Sequence, residues 1–273
     1  MSKLITNITL GADPELFLKQ GDEIISAEGL IGGTKHEPKM ISDEGHAIQE
    51  DNIMIEFNIP PSETKESFVA NINHVLEYLT ILAKQQDCTL SIVASSVIDK
   101  KYLQTEQATM FGCDPDFNVY IKDINTPPDA KSNLRTAGGH IHVGFTNKDN
   151  NQEISELLVY AMDATLGLES INLDKDDRRR EMYGNAGSFR FKEYGIEYRT
   201  LSNFWIQNDE LKEWAYTKTL EAIELVNSGL INEILSKYES QIRDIIDNNK
   251  KEEATSLLKQ IAELKIEKLI KTN

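Results

Sequence analysis

Apolar positions along the chain repeat with two periods, and the switches between them mark the elements. Over residues 5–18 apolar and polar residues alternate. This predicts a strand, interrupted or bulged at Ala12-Asp13-Pro14, then a turn at Gln20-Gly21-Asp22 and a short return strand through Ile24. Residues 27–40 hold Gly29, Gly32, Gly33 and Pro38 and read as a loop. In AIQEDNIMIEFNIPP, Ile53, Ile55 and Phe57 alternate with Met54, Glu56 and Asn58. That predicts one strand, ended by Pro60 and Pro61, with Ser62 or Thr64 free to cap the next element. Over 63–86 the period changes: Phe68, Ile72, Val75, Leu76, Leu79 and Leu82 recur at three and four, the stripe of a helix lying on a sheet. CTLSIVASSVI and RTAGGHIHVGF predict two more strands, on either side of a loop at Pro127 and Pro128. Residues 152–171 predict a second helix, and SFRFKEYGIEYRTLSNFW a hairpin around Glu-Tyr-Gly.

Strands, helix, strands, helix and hairpin in that order predict an α+β domain over 1–207 with a mostly antiparallel sheet backed by helices. From 208 to 273 the pattern is helical only, broken by DNNKK at 247–251. It predicts a C-terminal helical hairpin that covers the sheet or makes a homo-oligomer contact.

Composition narrows the function classes. The 273 residues are 40% hydrophobic, enough for one large core. A net charge of −16 without a Lys/Arg block argues against nucleic acid and anionic membrane surfaces as partners. The first residues lack a signal-peptide core, and no run approaches the roughly 18 apolar residues of a membrane span, so a cytoplasmic location is expected. Cys88 and Cys113 are far apart and outside any CxxC spacing, which speaks against a disulfide framework and a thiolate zinc site.

In GGHIHVGF, His140 and His142 alternate with Ile141 and Val143, so both imidazoles face one side of a strand. Alone, the pair suits a metal or phosphate site and equally two satisfied core histidines. Other strands add charge at the same spacing: Asp13 and Glu15, Asp51 and Glu56 flanking an apolar run, Glu197 and Arg199. Several carboxylates on one sheet face are tolerable if cations share it, and hard oxygen donors with an imidazole suit Mg²⁺ or Mn²⁺. DRRREMYGNAGSFRF adds Arg178, Arg179, Arg180 and Arg190. The first two read as a surface run after Asp176 and Asp177. Guanidinium beside carboxylate-held metal is what a nucleoside triphosphate requires. GxxxxGK[ST] and GxGxxG are absent, so P-loop, Rossmann and protein-kinase readings lack their phosphate cradle. Lys35 reads as a surface lysine, and Trp205 as packing.

GGHIHVG followed by GIEYRTLSNFW, with DPE in the first strand, resembles the glutamine synthetase and glutamate-cysteine ligase superfamily. Together with GLIGGTKHEP, EDNIMIEFNIPP and PDFNVY, these motifs look like the phage-encoded carboxylate-amine ligase type 2 family, from about Gly11 to Trp205. The resemblance implies a sheet curved into a funnel, with ATP, Mg²⁺ or Mn²⁺, a carboxylate substrate and an amine acceptor. It implies Glu15, Glu56, His140 and Glu197 as metal ligands, joined by Asp13 and Asp51. It implies His142, Arg180, Arg190 and Arg199 at ATP, with Arg190, Arg199 and Glu197 catalytic. Asp13 departs from the glutamate that glutamine synthetases carry there. The activity implied is ATP-dependent amide formation through an acyl phosphate. Two rivals are a metal-dependent hydrolase using His140 and His142 directly, and a non-catalytic phage structural or binding protein. The first leaves the arginines idle, and the second does not account for the complete set of costly charges.

Overall fold

The longest strand organises the molecule because its three stretches need three different neighbours. The computed structural model describes residues 3–109, 116–126, 132–147 and 152–272. Within them the strands are β1 (Ile5–Gln20), β2 (Glu23–Ile25), β3 (Lys39–Met40), β4 (Ala47–Asp51), β5 (Met54–Asn58), β6 (Thr89–Ser91), β7 (Ser95–Val97), β8 (Phe117–Asn118), β9 (Asp123–Ile124), β10 (Leu134–Thr136), β11 (Gly139–Asn147), β12 (Ser188–Lys192) and β13 (Gly195–Tyr198). The helices are α1 (Lys65–Gln85), α2 (Glu106–Thr109), α3 (Gln152–Met162), α4 (Leu168–Leu173), α5 (Asp209–Asn227), α6 (Leu230–Asp247) and α7 (Lys251–Thr272). The main sheet runs β3-β4-β5-β1-β11-β13-β12-β8-β9, with β2 and β6 also on β1. Residues 5–14 of β1 pair with β11, Glu15 and Leu16 with β5, and residues 17–20 with β2 and β6. All these strand pairings are antiparallel, so the expected α+β class with a mostly antiparallel sheet holds, and the sheet stays open.

Alternation along the strands separates two faces. Leu10, Ala12 and Leu16 of β1, Ile141 and Val143 of β11, and Ile196 and Tyr198 of β13 are buried on the helical side. There they meet Phe68, Ile72, Val75 and Leu79 of α1 and the apolar residues of α3, α5, α6 and α7 in one cluster. Thr64 caps α1 in a capping box with Ser67, one of the two capping residues expected from the sequence. Asn208 caps α5, and α6 and α7 separate within the expected DNNKK break.

Several expectations change. β1 is not interrupted at Ala12-Asp13-Pro14; its irregularity lies between Thr6 and Thr9, where Asn7 has φ 51°. The segment expected as one strand over 47–61 is the hairpin β4–β5. Asn52 takes φ 56°, its Oδ1 accepts from the Ile53 N–H, and its amide donates to Ala108 O at 2.9 Å. The apolar, buried Ile53 hid that turn in the pattern. CTLSIVASSVI supplies two strands, β6 on β1 and β7 on β10. RTAGGHIHVGF likewise splits at Ala137-Gly138 into β10 and β11. Cys88 is a buried free thiol; Cys113 and the Pro127-Pro128 loop lie outside the described residues.

The second helix is also divided, by a π-helical turn at Asp163–Gly167 between α3 and α4. Asp163 is fully buried there. Its Oδ1 accepts from the Tyr198 hydroxyl at 2.6 Å and the Thr200 hydroxyl at 3.3 Å. Burial pushes its carboxyl up to about 7, offset only in part by hydrogen bonds from the Tyr198 and Tyr120 hydroxyls. A carboxyl raised on folding contributes least to stability when ionised. Its effect is therefore lost stability as pH rises from the usual carboxylate range to about 7. Asp163→Asn keeps the Oδ1 acceptor and removes the charge. It is expected to stabilise the protein at pH 8, by up to about 4 kcal/mol from that shift, and to flatten the pH dependence of the melting temperature. Melting curves from pH 5 to 8 check this; an unchanged slope would mean that an ionised Asp163 does not set the pH dependence.

Candidate active site

On the face away from the helices, the polar halves of β4, β5, β1, β11, β13 and β12 line a cavity of about 520 Å³. Register assembles it. Asp13 stands opposite His140, Gly11 opposite His142, His142 opposite Glu197, Arg190 opposite Glu197, and Glu15 opposite Glu56. Antiparallel pairing puts opposed side chains within reach of each other, so residues distant in sequence become one charged surface.

The charges divide into two groups. The first is compensated. His140 Nδ1 is 3.2 Å from Asp13 Oδ1, and His142 Nε2 is 3.0 Å from Asp13 Oδ2. Glu197, with no exposed surface, meets Lys192 at 2.6 Å, Arg190 at 3.3 Å and the Arg199 guanidinium. Arg199 Nε also reaches Asp116 at 2.5 Å. Burial pushes the Asp13 carboxyl up, but His142 and His140 outweigh it and hold Asp13 well below the usual range. Burial and Asp13 likewise push Glu197 up, and Arg199 with the two histidines brings it down to about 2. Burial lowers the His142 imidazole, and Asp13 more than restores it, so His142 titrates above the ordinary value.

The second group is Glu15, Asp51 and Glu56, each offering an oxygen within 4.8 Å of the others. Its hydrogen-bond donors are neutral: the Gly138 N–H donates to Glu15 at 2.6 Å, and the Gln49 amide to Glu56 at 3.0 Å. Burial, then Asp13, Asp51 and Glu15, push the Glu56 carboxyl well above its usual range, and burial also raises Glu15. Three acidic oxygens converging, with no ion pair within 4 Å among the described residues, fit a hard divalent cation. Asp13, His142 and Glu197 form a second possible ligand set with the same spacing; there Lys192 would have to yield its place on Glu197.

Of the residues singled out from sequence, Asp13, Glu15, Asp51, Glu56, His140, His142, Arg190, Glu197 and Arg199 all line the cavity. His140 falls in neither ligand set; its Nδ1 faces Asp13 and Arg199. Arg180 is not brought to the cavity: its guanidinium donates to Gly184 O at 2.8 Å and Ser170 Oγ at 3.3 Å. Arg179, expected on the surface, is buried and lines the cavity, and Lys35 lines it too. Trp205 packs as expected. It is fully buried and its indole N–H donates to Gly139 O at 3.0 Å, bracing the strand that carries the histidines. Asp116, Lys192 and Tyr194 were not anticipated. Lys192 was legible, two residues beyond Arg190 on the same strand face. Asp116 precedes a two-residue strand and gave no periodic signal. Tyr194, in the β12–β13 turn, places its hydroxyl on His142 Nδ1.

The described chain is thus an open antiparallel sheet whose polar face gathers carboxylates, imidazoles and guanidinium groups in one cavity. Residues 132–263 match the family described as Phage phiEco32-like COOH.NH2 ligase-type 2, the family that the motifs resemble. That match begins later than the motifs and continues into the C-terminal helices. No curated protein matches. Solved structures that are similar include "Apo GmaS without ligand" (TM-score 0.45, 11% identity, covering 82% of this chain and 55% of that one). Another is "GmaS/ADP complex-Conformation 1" (TM-score 0.43, 10% identity, 97% and 70%). A third is a bifunctional glutathione synthetase from Pasteurella multocida (TM-score 0.44, 11% identity, 93% and 47%). The chain therefore spans about half the length of the first and third of these. No helix among the described residues is long and apolar enough to cross a membrane.

Proposed function

We propose that the protein is an ATP-dependent carboxylate-amine ligase that forms an amide bond through an acyl phosphate, acting in the cytoplasm of a phage-infected bacterium. The observation that carries this reading is the juxtaposition in one cavity of a carboxylate set, Glu15, Asp51 and Glu56, that has no ion pair within 4 Å among the described residues, with the cations Arg190, Lys192 and Arg199. Carboxylates suited to divalent cations beside arginines suited to phosphate oxygens are what a magnesium nucleotide requires. The match of residues 132–263 to a ligase family supports the same class.

Glu15, Asp51 and Glu56 would hold one Mg²⁺ or Mn²⁺, and Asp13, His142 and Glu197 a second. Bound there, the ions would neutralise charge on the β- and γ-phosphate oxygens. The substrate carboxylate attacks the γ-phosphorus, releasing ADP and giving an acyl phosphate; the amine attacks its carbonyl carbon and inorganic phosphate leaves. Arg190 and Arg199 stabilise the charge spread over the transferring phosphoryl oxygens, and the sheet holds the reactants in line. The carboxylate is on a small molecule or peptide, and the amine is free. A hydrolase with both histidines on one ion fits less well, since only His142 belongs to a ligand set.

The experiment is purified protein with Mg²⁺ and ATP against pools of amino acids and polyamines, reading ADP release and product mass together. Amine-dependent ADP release with a product lighter than its two parents by one water is the expected outcome. Protein that binds no ATP in the presence of Mg²⁺ would overturn the reading.

A further inference from the structure

Arg199 is reached by cavity carboxylates on its side chain, but its backbone is held by a residue that the proposed chemistry does not use. Arg179 donates from Nη1 to Thr200 O at 3.0 Å and from Nη2 to Arg199 O at 3.3 Å. It is 4% exposed, and among the described residues no carboxylate lies within ion-pair distance of it. Burial, first of all, brings its guanidinium down to about 10. A buried cation that spends both terminal nitrogens on main-chain carbonyls is costly to keep, and a neutral side chain of similar size would spare the protein that cost. The two carbonyls come directly after Glu197 and Tyr198, where regular β13 pairing has ended. Beyond that point backbone pairing is irregular: the Arg199 N–H still donates to Ser188 O and Leu201 O accepts from Gly139 N–H, while Arg179 takes the Arg199 and Thr200 carbonyls between them.

Gly184 makes this reach feasible. It has φ +80°, and a Cβ there would stand 1.9 Å from Arg179 Nη1 and 2.7 Å from Thr200 O. The glycine is therefore needed twice, for its left-handed backbone and for the passage of the guanidinium. The other side of the same segment is fixed independently: the Arg199 N–H donates to Ser188 O at 2.9 Å, and Asp163 holds the Tyr198 and Thr200 hydroxyls.

We infer that Arg179 is a positioning residue for Arg199: by bridging the carbonyls of Arg199 and Thr200 through the gap left by Gly184, it fixes where the Arg199 guanidinium stands in the cavity. The inference deepens the ligase reading and rests on it for what Arg199 does to substrate, but the positioning itself can be read without substrate. Lysine cannot substitute, because a single ammonium on a flexible stem lacks the planar fork that spans two neighbouring carbonyls.

The decisive measurement is solvent exchange of the Arg199 Nε–H in ¹⁵N-labelled protein without nucleotide or metal, its signal assigned by its loss in Arg199→Lys. In the wild type Nε is buried, 2.5 Å from Asp116 Oδ1, and its N–H is expected to exchange slowly. In Arg179→Met and Arg179→Lys, exchange at Arg199 should rise about tenfold, the equivalent of one lost hydrogen bond. Gly184→Ala, which displaces Arg179 without replacing it, should do the same and serves if the Arg179 variants do not fold. The Nε–H of Arg135, held by Asn52 at 3.0 Å, is the internal control and should not change. Unchanged exchange at Arg199, or equal acceleration at Arg135, would overturn the inference. Because no ATP is present, failure of the ligase reading would show separately, as absence of nucleotide binding by the wild type.

Discussion

Arg199→Lys is expected to fold, to bind Mg²⁺-ATP with nearly the wild-type affinity, and to lose turnover by about 10²–10³-fold, the usual effect of removing one oriented charge-stabilising donor. Lysine is the informative replacement. Arg199 forms ion pairs with Glu197 and Asp116 and also lies 3.2 Å from His140 Nδ1, so it is built into a buried network. Alanine would leave those carboxylates short of a cation, and breaking a buried ion pair costs about 3–5 kcal/mol. With alanine, lost activity could then report lost fold. With lysine the positive charge stays and the fork is removed. Arg190 and Lys192 still neutralise Glu197 and remain available to the phosphates, so ground-state nucleotide binding should hold. Calorimetric affinity and the rate of ADP release separate the two effects. Near-normal turnover at saturating ATP would refute the role given to Arg199.

The second large effect concerns the carboxylate set. Mg²⁺ is expected to raise the melting temperature by about 5–10 °C at pH 8, the effect of roughly 2.7 kcal/mol when the ion exceeds its dissociation constant a hundredfold, and by much less at pH 5. The sign comes from Glu56. Burial and the neighbouring Asp13, Asp51 and Glu15 raise its carboxyl well above the ordinary value. Without metal its contribution is therefore most favourable when protonated at low pH, and stability declines as pH climbs above the usual carboxylate range. A divalent cation binds the deprotonated set and reverses that decline. Glu56→Gln should melt higher than the wild type in metal-free buffer at pH 8 and lose the Mg²⁺ response. Thermal scans with and without Mg²⁺ at both pH values decide it. An equal Mg²⁺ shift at the two pH values that survives in Glu56→Gln would move the ion elsewhere.

Much of this site could be read from periodicity alone, because β-strands convert sequence spacing directly into facing. Asp13 and Glu15, His140 and His142, and Glu197 and Arg199 are each two apart, and the cavity receives all six. What periodicity could not supply was the end of a pattern. Ile53 kept the apolar alternation going through the β4–β5 turn, so the left-handed Asn52 passed unnoticed, although an asparagine there can close a turn with its own side chain. The burial of Arg179 is hidden for a related reason. In a run of three arginines after two aspartates, nothing local distinguishes the one that turns inward, since its partners are carbonyls of residues 199 and 200. The role of the Glu50 carboxylate is hidden in the same way. It accepts from the N–H groups of Gly29, Ile31 and Gly32 at 2.8–3.0 Å, tying the loop that carries Lys35 to β4.

The division of β1 among three sets of neighbours has a consequence for how the molecule comes into being. Asp13 and Glu15 sit on a strand whose longest pairing is with β11, and Asp13 meets His140 there. A nascent chain that has already made its two N-terminal carboxylates must hold that strand, half satisfied, until a segment far downstream arrives with the imidazoles. Closing so long a loop is entropically expensive and slow, and an unpaired strand edge waiting for its partner is the kind of surface that associates with the wrong chain. The carboxylates at positions 13 and 15 bear on that interval as well. While the edge is open they are charged and unpaired, and two like charges on a bare strand discourage another copy from adding to it.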